Sequence, residues 1–127
     1  MQEENNKQII RQVFEKAFNH KNTELIDVLF SPHFTDQSTP DQSAGPQGVK
    51  EYFAQVYTVF PDMQVTIEDL IAEGEKVVVR TTWSGTHLGE LADVEPTGKQ
   101  VTGTMIQIFR VVDSKIVEEW NEGSDLL

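Results

Sequence analysis

The spacing of the apolar residues changes near Pro61, and that change constrains the fold more than any other feature of the sequence. Before Pro61 the apolar residues recur at helical spacing, as on one face of an amphipathic helix. After it they alternate with polar residues at Met63, Val65 and Ile67, as in a half-buried strand, and the later segments keep a strand composition. Helices followed by sequentially connected strands are typical of an α+β fold, and a chain of 127 residues supports one domain, residues 1–127.

Three helices are predicted in the first half of the chain. The first covers about residues 3–19. The second follows Asn22, a favoured helix cap, and ends at Ser31-Pro32, because the residue before a proline avoids helical geometry. The third begins near Pro46, which suits a first helical position, and ends before Pro61.

The second half is predicted to form strands. Residues 76–86 are rich in valine and threonine, a composition that favours a strand. Asp69 interrupts the alternation of the first one. The predicted strands are residues 63–67, 76–86, 100–112 and 115–121, with a long loop at residues 88–99.

The last two strands form a hairpin whose register decides which side chains share a face. A three-residue loop at 112–114 pairs Val111 with Lys115 and sets Gln107 opposite Glu119. A two-residue loop at Asp113-Ser114 shifts the register by one residue and scrambles the faces. We adopt the three-residue loop, although Ser114 stands where that loop favours glycine. One face then carries Met105, Gln107, Phe109, Val117, Glu119 and Asn121, and the other carries Ile106, Ile108, Ile116 and Trp120.

Composition excludes several classes of function. The net charge of -11 repels phosphate backbones and anionic lipids, so neither a nucleic acid nor a membrane is expected as a partner. The chain has no cysteine, and its three histidines show no ligand spacing, so no metal site is expected. There is no glycine-rich phosphate loop, and no cofactor is predicted. The acidic N-terminus is unlike a secretory signal, which favours a cytoplasmic protein.

Four short motifs resemble the SnoaL-like polyketide cyclase and ester cyclase family: Gly85-Thr86-His87, Pro96-Thr97-Gly98, Ile108-Phe109-Arg110 and Glu119-Trp120-Asn121. The resemblance implies a cone-shaped nuclear transport factor 2-like (cystatin-like) fold. In it, three N-terminal helices pack on a strongly bent antiparallel sheet around a deep pocket, and the protein is usually a dimer. In the family the last motif commonly reads His-Trp-Asp, and the aspartate transfers the proton. Here Asn121 takes the place of that aspartate.

Glu119 is the predicted proton carrier. An apolar pocket would raise its pKa, whereas the alternative is a solvated glutamate in an acidic run. Asn121 cannot act as an acid, so Asn121 and Gln107 are predicted to orient a substrate oxygen. The alternative for Asn121 is capping of the strand end, and the alternative for Gln107 is a hydrogen bond to a neighbour or a water. His87 could reach the pocket mouth or hold the long loop. The other predicted substrate contacts are Met105, Phe14, Phe18, Tyr57 and Trp83.

A second ionisable group that the family has in its pocket is missing after the second helix. The family often has Asp-His there, where this chain has Asp36-Gln37.

The predicted function is a pocket protein for a small apolar carbonyl compound. As an enzyme it would be a cofactor-free cyclase, by intramolecular aldol reaction, or an isomerase. The alternative is a non-enzymatic ligand-binding or assembly module. The apolar hairpin face, with Trp120, predicts a homodimer.

Overall fold

A computed structural model describes residues 2–91 and 94–123 of the chain, and it confirms the α+β class. The helices are α1 (Gln2–Gln12), which continues as a π-helical segment (Val13–Phe18), α2 (Glu24–Leu29) and α3 (Gly45–Val59). The strands are β1 (Phe30–Asp36), β2 (Gln64–Glu73), β3 (Lys76–Thr86), β4 (Gln100–Val112) and β5 (Lys115–Gly123).

The five strands form one sheet in the order β1-β5-β4-β3-β2. The four predicted strands pair antiparallel, as expected, whereas β1, which was not predicted, runs parallel to β5. The sequence does not predict a strand at β1, because Ser31-Pro32 marks the end of the second helix. Proline is tolerated here because β1 is an edge strand.

Strand β2 extends beyond its predicted end at residue 67. The register with β3 shifts between Ile67 and Asp69, and pairing then continues to Glu73. Such a bulge inserts an extra residue and bends the strand. The break in alternation at Asp69 was therefore a sign of this bulge.

The β4–β5 hairpin has a two-residue turn, so the predicted three-residue loop is wrong. Asp113 and Ser114 occupy the turn with φ of 50° and 63°, and Val112 pairs with Lys115. The pairing then skips Val117, the extra residue of a bulge.

The bulge restores the predicted faces for most of the hairpin. Gln107 lies opposite Asn121, and Phe109 lies opposite Glu119, so these pairs differ from the predicted ones while the shared face is kept. Ile116 is the exception. It pairs with Val111 and is fully buried in the core, because it lies on the turn side of the bulge.

The helices cover one face of the sheet, with α1 against β2 and β3 and α3 against β1. The core between these layers includes the fully buried Ile10, Ile26, Phe34, Val56 and Val79. Among the described residues, no helix has the length and apolar character needed to cross a membrane.

The opposite face of the sheet carries a line of apolar side chains across four strands. Ile71 pairs with Val78, Val78 with Ile108, and Ile108 with Trp120. We call these four residues the apolar row. Ile106 lies beside it on β4 and is 45% exposed.

Candidate active site

A cavity of about 490 Å³ lies between the helices and the covered face of the sheet. This volume is within the range that small-molecule sites in proteins occupy. Its wall is largely apolar and aromatic, with a polar group at the β1–β5 side. The lining residues are Val13, Phe14, Phe18, Phe30, Asp36, Ser38, Thr39, Gln42, Val49, Tyr52, Phe53, Gln55, Val65, Thr81, Trp83, Met105, Gln107, Phe109, Glu119, Asn121 and Glu122.

The π-helical segment positions the aromatic wall. The wider helical turn is closed by a 2.9 Å hydrogen bond from the Asn19 N–H to the Phe14 carbonyl, and it places Phe14 and Phe18 in the cavity. Asn19 then fixes the end of the segment to β2. Its side chain donates to the Val65 carbonyl at 2.8 Å and accepts from the Val65 N–H at 2.9 Å.

Two carboxyl groups and two amides form the polar group of the cavity, which we call the carboxyl–amide cluster: Asp36, Gln107, Glu119 and Asn121. The Gln107 amide donates to a Glu119 oxygen at 2.7 Å. The Asn121 amide donates to the two Asp36 oxygens at 3.0 and 3.3 Å. Parallel pairing of β1 and β5 sets Asp36 directly beside Glu119.

The pKa of Glu119 is raised from 4.5 to about 8. Burial of the carboxyl is the largest cause, and the negative charge of Asp36 adds to it. The nearby amides of Gln107 and Asn121 lower the pKa to a smaller extent. The carboxyl is therefore mostly protonated at neutral pH and close to the point where it can both accept and return a proton.

The Asn121 amide is oriented by Asp36. A carboxylate only accepts hydrogen bonds, so the Asn121 nitrogen has to face Asp36. Its amide oxygen is buried and, within the described part of the chain, has no partner. The role of Asn121 in orienting a substrate oxygen stays a prediction, and in this geometry the group of its side chain that is left unpaired is an acceptor.

Two predicted contacts, Tyr57 and His87, lie outside the cavity wall. The Tyr57 hydroxyl donates to the Phe18 carbonyl at 2.8 Å, and burial raises its pKa to about 12. Its ring thus supports Phe18 from behind. The His87 ring lies 3.2 Å from the Thr97 hydroxyl and is buried against Phe60, so it holds the long loop.

The other predicted contacts do come together in the cavity, which Met105, Phe14, Phe18 and Trp83 line with the two amides and Glu119. The sequence did not predict Asp36 as a cavity carboxyl or Thr81 as a residue of the cavity wall. Thr81 shares a face with Val77, Val79 and Trp83 in β3, so the alternation of that strand carried the signal. Asp36 had no such signal, because its strand was not predicted.

Comparison with known proteins relates this chain to polyketide cyclases. The sequence model of the SnoaL-like polyketide cyclase family matches residues 8–125. The nogalonic acid methyl ester cyclase of Streptomyces nogalater is 26% identical over 104 residues, which are 79% of this chain and 77% of that protein.

Solved structures with the same fold include TsrD from Streptomyces laurentii, with a TM-score of 0.86 and 23% identity over 95% of this chain and 89% of that one. IdmH, a candidate polyketide cyclase from Streptomyces antibioticus, has a TM-score of 0.81 and 28% identity over 94% of this chain and 91% of that one. These likenesses confirm the predicted nuclear transport factor 2-like fold.

Proposed function

Because this chain belongs to the SnoaL-like polyketide cyclase family, we propose that its cavity binds a small, largely apolar carbonyl compound and closes a ring in it by an intramolecular aldol reaction. The observation that carries the proposal is the cavity carboxyl of Glu119, whose pKa of about 8 suits proton transfer near neutral pH. The name of the Streptomyces nogalater relative, a methyl ester cyclase, supports the same class of substrate and reaction.

The proposed reaction uses Glu119 twice. Its ionised form takes a proton from the carbon next to a substrate carbonyl, which leaves an enolate. The enolate carbon then bonds to a second carbonyl carbon, and the oxygen of that carbonyl takes the proton back from Glu119. Gln107, 2.7 Å from the carboxyl, steadies its position throughout. Return of the proton to a different carbon of the same substrate would make the reaction an isomerisation.

Kinetics of two variants on nogalonic acid methyl ester test this function. Glu119→Gln keeps the size of the side chain and removes its proton chemistry, so kcat is expected to fall by about 100-fold or more while substrate binding is retained. Asn121→Asp places a second carboxyl about 3 Å from Asp36, where two such groups share a proton, and is expected to raise turnover. Glu90→Gln, an exposed loop variant, is the control.

The kinetics of these variants distinguish an enzyme that uses Glu119 from the other possibilities. Turnover that survives Glu119→Gln undiminished would show that Glu119 is not the base. Binding of the ester by all three proteins with no turnover by any of them would favour a non-enzymatic ligand-binding or assembly module.

The apolar row supports a homodimer as the working form. A sheet face carrying Ile71, Val78, Ile108 and Trp120 in register, with Ile106 beside it, is unusual for a face that meets only water.

Sedimentation velocity tests the dimer. Trp120→Glu places a charge in the proposed contact and is expected to weaken association. A wild-type protein that sediments as a monomer at every concentration would contradict the dimer.

A further inference from the structure

The indole N–H of Trp83 is a buried donor without an acceptor. Trp83 lines the cavity and is 6% exposed. Its Nε1 has no hydrogen-bond partner within residues 2–91 and 94–123. Among the described residues of the cavity wall, it is the one buried side-chain donor left unpaired. A buried donor left unpaired is destabilising, so an acceptor that reached it would bind favourably.

The ring of Trp83 is fixed by what lies beneath it. A Cβ on the opposite Gly103 would lie 2.4 Å from the ring carbon Cζ2 and 2.8 Å from Nε1, so the ring needs the bare backbone of that glycine. Phe60 packs on the ring with the centroids 5.8 Å apart. The N–H edge is therefore held over β4 at Gly103.

The two amides of the carboxyl–amide cluster donate to its two carboxyl groups. Gln107 donates to Glu119, and Asn121 donates to Asp36. The buried polar atoms of the wall that lack a partner in the described chain are thus one donor, the Trp83 nitrogen, and one acceptor, the Asn121 oxygen.

These two atoms belong to residues at separate positions along the sheet. Trp83 pairs with Gly103 and Asn121 pairs with Gln107, four residues further along β4, so their backbone positions are roughly 13 Å apart along the strand. Met105, whose side chain is flexible, lies between them on the same face of β4 and also lines the cavity.

We propose that Trp83 is a ligand-anchoring residue, whose indole N–H donates to an uncharged oxygen at one end of an elongated aromatic ligand while Asn121 accepts from a hydroxyl at the other end. This inference rests on the proposed function and narrows its substrate class. A ligand with a carbonyl at one end and a distant hydroxyl at the other fits, and short compounds with one carbonyl do not span the two positions. The described cavity wall holds carboxyls but no basic side chain, which disfavours a carboxylate or phosphate on the ligand.

Nitrogen-15 NMR of the wild-type protein tests the donor directly. The chain has two tryptophans, so it gives two indole N–H signals, and Trp120→Phe assigns them. The probes are 6-acetyl-2-naphthol and 6-ethyl-2-naphthol, which differ in the carbonyl oxygen. The Trp83 indole proton is expected to move downfield with the ketone relative to the ethyl compound, and the Trp120 signal is expected to stay in place with both.

Affinities measured by calorimetry complete the test. Trp83→Phe is expected to weaken binding of 6-acetyl-2-naphthol about tenfold and to change that of 6-ethyl-2-naphthol by less than about twofold. 2-Acetylnaphthalene, which lacks the hydroxyl that Asn121 would accept from, is expected to bind the wild type about tenfold more weakly than 6-acetyl-2-naphthol.

The outcomes distinguish the inference from the proposed function. If the probes bind equally and the Trp83 signal responds to both alike, the anchoring role is wrong and the pocket function stands. If none of the probes binds, the proposed function fails and the inference fails with it. Should Trp83→Phe not fold, the wild-type NMR comparison alone decides.

Discussion

Glu119→Gln is expected to stabilise the protein at alkaline pH and to leave its stability almost unchanged at acidic pH. The pKa of Glu119 is about 8 in the folded protein against an ordinary 4.5, because burial and the charge of Asp36 disfavour the ionised form. At pH values between these two pKa values, Glu119 has lost its proton in the unfolded chain but keeps it in the folded protein. The free energy of unfolding of the wild type therefore falls as pH rises from about 4.5 to about 8.

The size of this loss follows from the two pKa values. Each pKa unit corresponds to about 1.36 kcal/mol, so the wild type loses at most about 5 kcal/mol by the time the pH exceeds 8. Glutamine does not ionise and does not suffer this loss, and its side-chain oxygen can still accept from Gln107. The advantage of the variant should thus appear above about pH 4.5 and grow until about pH 8.

Urea unfolding of both proteins from about pH 4 to about pH 9 measures the effect. The difference in free energy of unfolding should be near zero at the acidic end and several kcal/mol at the alkaline end. Glu90→Gln removes the same formal charge from an exposed side chain and should show a nearly flat difference. A flat difference for Glu119→Gln would mean that Glu119 ionises as it does in water, which would refute the reasoning.

Two further predictions concern residues around the site. Gly103→Ala brings a Cβ within 2.4 Å of the buried Trp83 ring and should lower the free energy of unfolding by about 1–3 kcal/mol in urea titrations. Thr104→Ala, on the exposed face, should change it little. Equal effects of the two substitutions would contradict the placement of the ring. Asp36→Asn removes the neighbouring charge and should lower the pKa of Glu119, measured by carbon-13 NMR of its carboxyl; an unchanged pKa would show that Asp36 does not act on it.

The fold was largely predictable where local pattern and tertiary structure agree. Strands β3 and β4 have the predicted bounds, because their composition, rich in β-branched residues, agrees with their place in the sheet. The β4–β5 register was not predictable, because the bulge at Val117 leaves no clear mark in the sequence and the turn uses Asp113 and Ser114 where glycine is usual. The bulge also explains why Ile116 points to the core.

The candidate site was predictable only in part. Resemblance to a family located Glu119 and Asn121, and the parity of β4 brought Gln107 to the same face. The role of Asp36 depends on a parallel pairing between residues far apart in sequence, and no local pattern reports such a pairing. Tyr57 has the helical spacing of a cavity residue, but its hydroxyl turns to the Phe18 carbonyl, which only the packed structure reveals.

The pH dependence of kcat/KM for ring closure of nogalonic acid methyl ester tests the central claim most directly, because it reports the ionisation of the base in the free enzyme. With Glu119 as the base, kcat/KM should rise about tenfold for each pH unit and become level above about pH 8. A profile that is already level above about pH 5 would show that a carboxyl of ordinary pKa does the chemistry, and it would contradict the assignment of Glu119.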